Sequence, residues 1–307
     1  EYDTAVFTNL TQDHLDFHKS FENYVAAKAR LFSGLTAEDP VKENKTAVIN
    51  IDDPHAAEIM KAARCKVLTY GVEKKAELYG TDLQVGLKSS SFRITGPFGK
   101  LALHMRITGL FNVYNTLAAV GAAYAEGIAT EVIDKAIRTF HSVPGRFEPV
   151  EGGQDFAIVV DYAHTPDSLE KALTTARAMK PNHLIAVFGC GGDRDRTKRP
   201  VMGRIGAEFA DIPIITSDNP RSEDPEFIVS EVEAGVKAGL KEGQHYEVIV
   251  DRRAAITRAV EMASDGDLVL IAGKGHETYQ ILKDGTVHFD DREVALEAVR
   301  QVQIKER

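Results

Sequence analysis

The chain has 307 residues and a net charge of −9, so it is long enough for two domains that each bury a core. That acidic balance argues against a general binder of nucleic acid or of an anionic membrane, whose affinity rests on surplus Lys and Arg. Cys65 and Cys190 lie far apart and supply neither a disulfide framework nor a paired metal motif, which fits a reducing cytoplasm. No apolar run reaches the roughly 18 to 20 residues of a membrane span.

The opening "EYDTAVFTNL" reads as a strand in mid-fold, with neither a signal peptide nor a methionine, and leads us to expect a further segment upstream. Next, "NLTQDHLDFH" gathers Asp13, His14, Asp16 and His18. It reads either as a solvated loop or as a metal site: His14 and His18 at i, i+4 would suit zinc, and the acids would equally suit magnesium held with a phosphate. Residues 20–33 read as a helix in which Phe21, Tyr24, Val25 and Phe32 share an apolar face with Lys28 at its centre. Either the Lys28 stem packs and its ammonium snorkels to water, or the amine is desolvated and available for covalent chemistry.

"TAVINI" and "CKVLTY" read as strands, residues 53–64 as a helix, residues 77–107 as hairpins and residues 112–140 as two helices. "HSVPGRFEPV" interrupts the pattern as a domain boundary would. From residue 157 the runs "AIVV", "LIAVF", "IPIIT", "YEVIV" and "LVLIA" alternate with amphipathic segments, the signature of a doubly wound parallel sheet. Thr165 before Pro166 and Asp224 before Pro225 mark helix starts.

Ligands of such sheets bind at the carboxyl ends of strands, which directs attention to the polar tails "DYAHTPDS", "GCGGDRDRTKR", "SDNPRSED" and "GKGHET". The glycine-rich tail between a strand and a helix suits an anion, yet neither a dinucleotide fingerprint nor a G-x-x-x-x-G-K-[ST] phosphate loop occurs in the 307 residues. A self-sufficient nucleotide hydrolase is therefore not expected.

In order along the chain, "TNLTQDHLDFH", "YVAAKARLF", "GLFNVYNTLAA", "PGRFE", "DYAHTPDSL", "FGCGGDRD", "KRPVMG", "DNPR" and "GKGHE" resemble the Mur ligases, the ATP-dependent amide-bond-forming enzymes of peptidoglycan precursor synthesis. Within that family the chain looks like the members that add the third amino acid. The resemblance implies an α/β chain: residues 1–143 as the rear part of a Mur ligase central ATPase domain, and residues 144–307 as a Rossmann-like doubly wound C-terminal domain that binds the amino acid. The UDP-sugar domain and the phosphate loop would then lie upstream.

The resemblance also implies roles for residues. Lys28 would be carbamylated and, with His14, ligate Mg2+. Asn112 would lie beside the adenine of ATP, Arg146 would reach its phosphates, Asp161 would accept from the ribose hydroxyls, and His164 would lie on the nucleotide side. From the residues alone, Asn112 reads as a helix N-cap and Asp161 as a strand-end turn. Arg194, Asp218, Asn219, Arg221, Gly273 and Glu277 would hold the incoming amino acid. Arg221 offers a planar fork for a carboxylate, and the family's diaminopimelate-adding members have this arginine where the lysine-adding members lack it.

The implied activity is ATP-dependent addition of meso-diaminopimelate to UDP-MurNAc-L-Ala-D-Glu through an acyl phosphate, by a cytoplasmic monomer that binds neither nucleic acid nor membrane. An L-lysine-adding or folylpolyglutamate-type relative, and a binding module without catalysis, are the competing readings.

Overall fold

The computed structural model describes residues 2–10, 20–36 and 44–305. The chain divides into two compact units, Glu1–Val85 with Ser89–His141, and Gly86–Lys88 with Ser142–Arg307. No helix among the described residues is long and apolar enough to cross a membrane.

In the first unit β1 (Thr4–Phe7), β2 (Thr46–Asn50), β3 (Lys66–Gly71) and β4 (Leu78–Val85) pair in parallel, and β5 (Ser90–Gly96) and β6 (Gly99–Met105) extend the sheet antiparallel. β2 is buried throughout because both of its faces are covered. Ala47 and Ile49 pack with Phe32 of α1 (Phe21–Ser33) and Ile59 of α2 (Ala56–Ala62), while Val48 packs with Leu117 of α3 (Leu110–Ala125). A methyl group on Gly121 of α3 would stand 2.6 Å from Val48 Cγ1, so glycine sets how closely this helix approaches the sheet. Ile133 of α4 (Thr130–Thr139) completes that face.

The helix expected over residues 53–64 is shorter at both ends, because Asp53 Oδ1 accepts from His55 N–H at 2.8 Å and holds the preceding residues as a turn.

The second unit has strand order β11-β10-β9-β12-β8-β7, formed by β7 (Glu148–Pro149), β8 (Ala157–Asp161), β9 (Leu184–Phe188), β10 (Ile212–Ile215), β11 (Glu247–Val248) and β12 (Leu268–Ala272). All pair in parallel except β7 with β8. Three helices, α5 (Pro166–Ala178), α6 (Lys198–Phe209) and α7 (Pro225–Gly239), cover one face through Leu173, Met202 and Val232. α8 (Arg252–Met262) and α9 (Asp291–Lys305) cover the other through Ile256 and Val299.

The chain moves outward from β9 to β11 along one face and returns to β12 along the other, so a switch point lies between β9 and β12. Both proline-marked helix starts are capped: Thr165 and Ser168 form a reciprocal capping box, and Asp224 Oδ1 accepts from Glu226 N–H at 2.9 Å. "YEVIV" contributes only Glu247–Val248 to the ladder, as the edge strand with β10 as its one neighbour. Beyond the sheet, β13 (Tyr279–Leu282) and β14 (Gly285–His288) form a separate hairpin.

Candidate active site

The carboxyl ends of β8, β9, β10 and β12 converge on a cleft of about 620 Å³. Each of the four polar tails contributes: Tyr162 and His164 follow β8, Gly191 and Arg194 follow β9, Asp218, Asn219 and Arg221 follow β10, and Gly273 and Glu277 follow β12. The first residues of α5 and α6, including Thr165 and Lys198, also line it, so partially positive helix ends face the same space.

The tails of β9 and β10 are fastened to each other. Gly192 N–H donates to Asn219 O at 2.9 Å, Arg221 Nη1 donates to Gly192 O at 2.8 Å, and Ser222 Oγ donates to Asp193 Oδ1 at 2.7 Å. Beneath them Arg199 is fully buried and makes a two-pronged pair with Glu223 at 2.8 and 2.9 Å, with Glu231 at 2.6 Å from Nη1. Hydrogen bonds from Arg199, then from Asp193 N–H, hold the Glu223 carboxyl down to about 2. Asp193 and Arg221 both adopt left-handed backbone, at φ 53 and 55. That conformation is costly for side chains other than glycine, and the surrounding contacts keep it in place. Arg221 uses Nη1 on backbone carbonyls, while its Nε and Nη2 donate to no described residue.

Next to Arg221, Asn219 is nearly buried and its side-chain oxygen is fully engaged. Its Oδ1 accepts from Lys274 Nζ at 3.1 Å and Ile281 N–H at 2.9 Å, and its Nδ2 donates to Glu277 Oε2 at 2.9 Å. Asp218 is buried beside it, and its carboxylate accepts no hydrogen bond from the described residues. Gly273, at φ 123, leaves it room: a methyl group there would stand 2.5 Å from Asp218 Oδ2. Behind both, the fully buried Arg252 pairs with Asp291 at 2.7 and 2.8 Å and donates to Ala272 O at 3.0 Å, tying the ends of β12 and α8 together. Burial, with the nearby Glu277, Tyr279 and Asp218 charges, pushes the Tyr162 hydroxyl above its ordinary range.

His164 is exposed in the cleft wall, and its Nδ1 donates to Tyr162 O at 2.8 Å, because a carbonyl can only accept. In the neutral ring, Nε2 is left as an acceptor. Asp161 lies below the cleft lining and serves the strand-end turn. Its Oδ2 accepts from Phe147 N–H at 2.7 Å, across a Gly145–Phe147 turn whose ends sit at φ 69 and 46. Burial raises the Asp161 carboxyl, against the Phe147 and Ala163 N–H groups and the Arg146 charge. A methyl group on Gly145 would stand 2.3 Å from His276 N, so this turn lies flush against the "GKGHE" tail and carries Arg146 at the surface.

Asn112 belongs to the first unit. Gly109 is the N-cap of α3, which corrects the N-cap reading of Asn112; the Asn112 amide instead donates back to Thr108 O at 2.8 Å from within the first turn. Lys28 is exposed on α1, with Nζ 5.3 Å from the centre of the Tyr24 ring. The position expected at the centre of a buried face is therefore served by a snorkelling side chain, whose stem is long enough to carry the charge off the face. His14, with Asp13, Asp16 and His18, lies outside the described residues. Among the described residues, no group of three or more His, Cys, Asp or Glu is arranged to hold a metal ion.

Sequence reasoning passed over Lys274, Lys198, Arg199 and Arg252. For Lys274 the signal was a lysine between two glycines directly after an all-apolar strand.

Residues 1–123 match the Mur ligase middle domain, and residues 145–275 match the Mur ligase glutamate ligase domain. A UDP-N-acetylmuramoyl-L-alanyl-D-glutamate--2,6-diaminopimelate ligase of Syntrophomonas wolfei is 51% identical over 98% of this chain and 60% of its own length. A protein of the same name from Geobacillus thermodenitrificans is 47% identical over 98% of this chain and 61% of its own length. A solved structure of a ligase of that name superposes with a TM-score of 0.73 at 39% identity, over 98% of this chain and 61% of that one. The chain thus spans about 60% of the length of the curated relatives it matches.

Proposed function

This chain belongs to the Mur ligase family, and from that premise we propose that it forms part of a cytoplasmic ligase that adds meso-diaminopimelate to UDP-MurNAc-L-Ala-D-Glu at the expense of ATP. The observation that carries the reading is the cleft itself. It is lined by a guanidinium, Arg221, whose Nε and Nη2 donate to no described residue, by a buried carboxylate, Asp218, that accepts no hydrogen bond from the described residues, and by Asn219 and Glu277. Such a site complements a molecule bearing both carboxylate and ammonium groups. The fork of Arg221 takes the terminal carboxylate that distinguishes diaminopimelate from lysine, and Asp218 and Glu277 take an ammonium. Lysine would leave the arginine without a counter-charge in a partly buried site, at a cost that rejects it.

In this reading the γ-carboxylate of the D-glutamate is first phosphorylated by ATP. The amine of the incoming amino acid then attacks the acyl phosphate, and phosphate leaves from a tetrahedral intermediate. Held with its ammonium on Asp218 and Glu277, the amine loses a proton before attack. The Nε2 acceptor of His164, on the cleft wall, would take it. Lys198, Arg194 and the α5 and α6 helix ends supply positive potential where phosphate charge collects. Lys28, once carbamylated, and His14 would hold Mg2+, which when bound screens the charge of the phosphate oxygens. Asn112 would take the adenine, and Arg146 and Asp161 the rest of the nucleotide.

The test is ATP-dependent phosphate release with meso-diaminopimelate and with L-lysine. It would be measured on the 307-residue chain alone and on the chain joined to the remaining portion of the Syntrophomonas wolfei relative. Release by the joined protein with diaminopimelate only supports the reading. Equal use of lysine overturns the specificity, and release by neither protein favours the binding module.

A further inference from the structure

Lys274 has no side-chain surface exposed, yet it sits at the heart of the polar side of the cleft. Its Nζ lies 3.1 Å from Asn219 Oδ1, 3.1 Å from Glu277 Oε2 and 5.6 Å from the centre of the Tyr279 ring. An ammonium can only donate, and so can the Ile281 N–H that shares Asn219 Oδ1. The amide oxygen is therefore fixed on that side. Its nitrogen must face the other way, where one hydrogen goes to Glu277 Oε2 and the second has no acceptor among the described residues.

We propose that Lys274 is a positioning residue for amino-acid recognition: it locks the Asn219 amide so that one N–H is presented to the carboxylate of a bound α-amino acid, and it holds Glu277 Oε2 so that Oε1 is left for the ligand's ammonium. Lys274 makes this choice without touching the ligand, because its charge is spent wholly on the two side chains that do. A free amide flips at little cost and would offer its oxygen as readily as its nitrogen. With Lys274 in place, the flipped amide would set its N–H2 against an ammonium and a backbone N–H, leaving buried donors facing donors. Gly273 and Gly275, at φ 123 and 55, give the backbone conformation that turns this one side chain inward from the end of β12.

This inference rests on the cleft being an amino-acid site, and the experiment separates the two ideas. Binding of meso-diaminopimelate to the chain is measured by calorimetry for the unmodified protein, Lys274→Met, Asn219→Ala and the double variant. Each single change is expected to weaken binding roughly ten- to hundredfold, and the double variant no more than about threefold beyond the worse single one, because both remove the same donor. Losses that multiply, or no loss with Lys274→Met, overturn the proposal.

The second measurement needs no ligand and no substitution, and so stands even if Lys274→Met fails to fold. The Asn219 side-chain N–H2 pair is followed by NMR in the unmodified chain. One set of resonances, with the proton on Glu277 Oε2 protected from exchange with solvent, supports a locked amide, and two sets of resonances or rapid solvent exchange of that proton overturns it. If the unmodified chain binds no diaminopimelate, the amino-acid reading fails by itself, and the Asn219 resonances still decide whether the amide is locked.

Discussion

Both sheets place adjacent polar residues where a central strand ends, and the two units use them in opposite ways. After β2, Asp52 accepts from the N–H groups of Val72, Glu73 and Lys74 at 2.7 to 3.0 Å and from the Tyr114 hydroxyl at 2.9 Å, while Asp53 accepts from Leu10 and His55 N–H. After β10, the Asp218 carboxylate accepts no hydrogen bond from the described residues, Asn219 keeps one N–H unspent, and Arg221 keeps two of its nitrogens unused. The first pair consumes its hydrogen-bonding capacity in fastening loops. The second shares the fastening with Arg199 and Arg252, spending Arg221 Nη1 and Asn219 Oδ1 on its loops, and keeps the rest of its capacity for a ligand. Folding removes most buried polar groups from play, so an arrangement that shields such groups without satisfying them marks a binding site.

The largest effect that tests this contrast is expected at Arg221. Arg221→Ala should weaken diaminopimelate binding by about two to three orders of magnitude, measured by calorimetry, with only the modest loss of thermal stability that the two Nη1 hydrogen bonds account for. A matching collapse of stability would mean that Arg221 belongs with the fastening groups. Next comes Asp52→Ala, which strands several donors at once and should cost the fold about 2–3 kcal/mol in urea unfolding.

A smaller, pH-dependent effect is expected from the clamp beneath the cleft. The Glu223 carboxyl is depressed to about 2 from its ordinary 4.5, so the folded state binds fewer protons there than the unfolded state. Its contribution is complete above 4.5 and drains away as pH falls toward 2. The stability difference between the unmodified chain and Glu223→Gln should shrink over that window, and a difference independent of pH would assign the effect to packing. The smallest effect is expected at Asp218→Asn, within about 0.5 kcal/mol of the unmodified stability, since its carboxylate accepts no hydrogen bond from the described residues. A cost as large as that of Asp52→Ala would erase the distinction between the two strand ends.

Much of the second unit was legible because local signals agree with each other. Apolar runs of four or five residues, capped helix starts and polar tails all point to one doubly wound sheet, and those tails do meet in one cleft. The loop conformations were hidden, because nothing in "DNPR" tells that Arg221 is left-handed. That conformation is imposed by Gly192 and Ile281, distant in sequence and adjacent in space. Periodicity left two readings of Lys28 open, and the exposed side chain fits the snorkelling one, because periodicity gives a residue's direction from the helix axis and not how far a four-carbon stem can travel. Lys274 escaped notice for the converse reason: a lysine is expected at the surface, and only the network of Asn219, Glu277 and Tyr279 shows why this one is inside.

The β13–β14 hairpin has a practical bearing on redesign. Ile281 donates its N–H to Asn219 Oδ1 at 2.9 Å and accepts from Arg221 N–H at 3.0 Å, so the hairpin and the "DNPR" turn are stitched by one bond to a side chain and one between main chains. A graft that transplants the turn alone into another scaffold would arrive without its template. The exchangeable cassette is the turn and the hairpin together, two segments some sixty residues apart in sequence that must be swapped as one part.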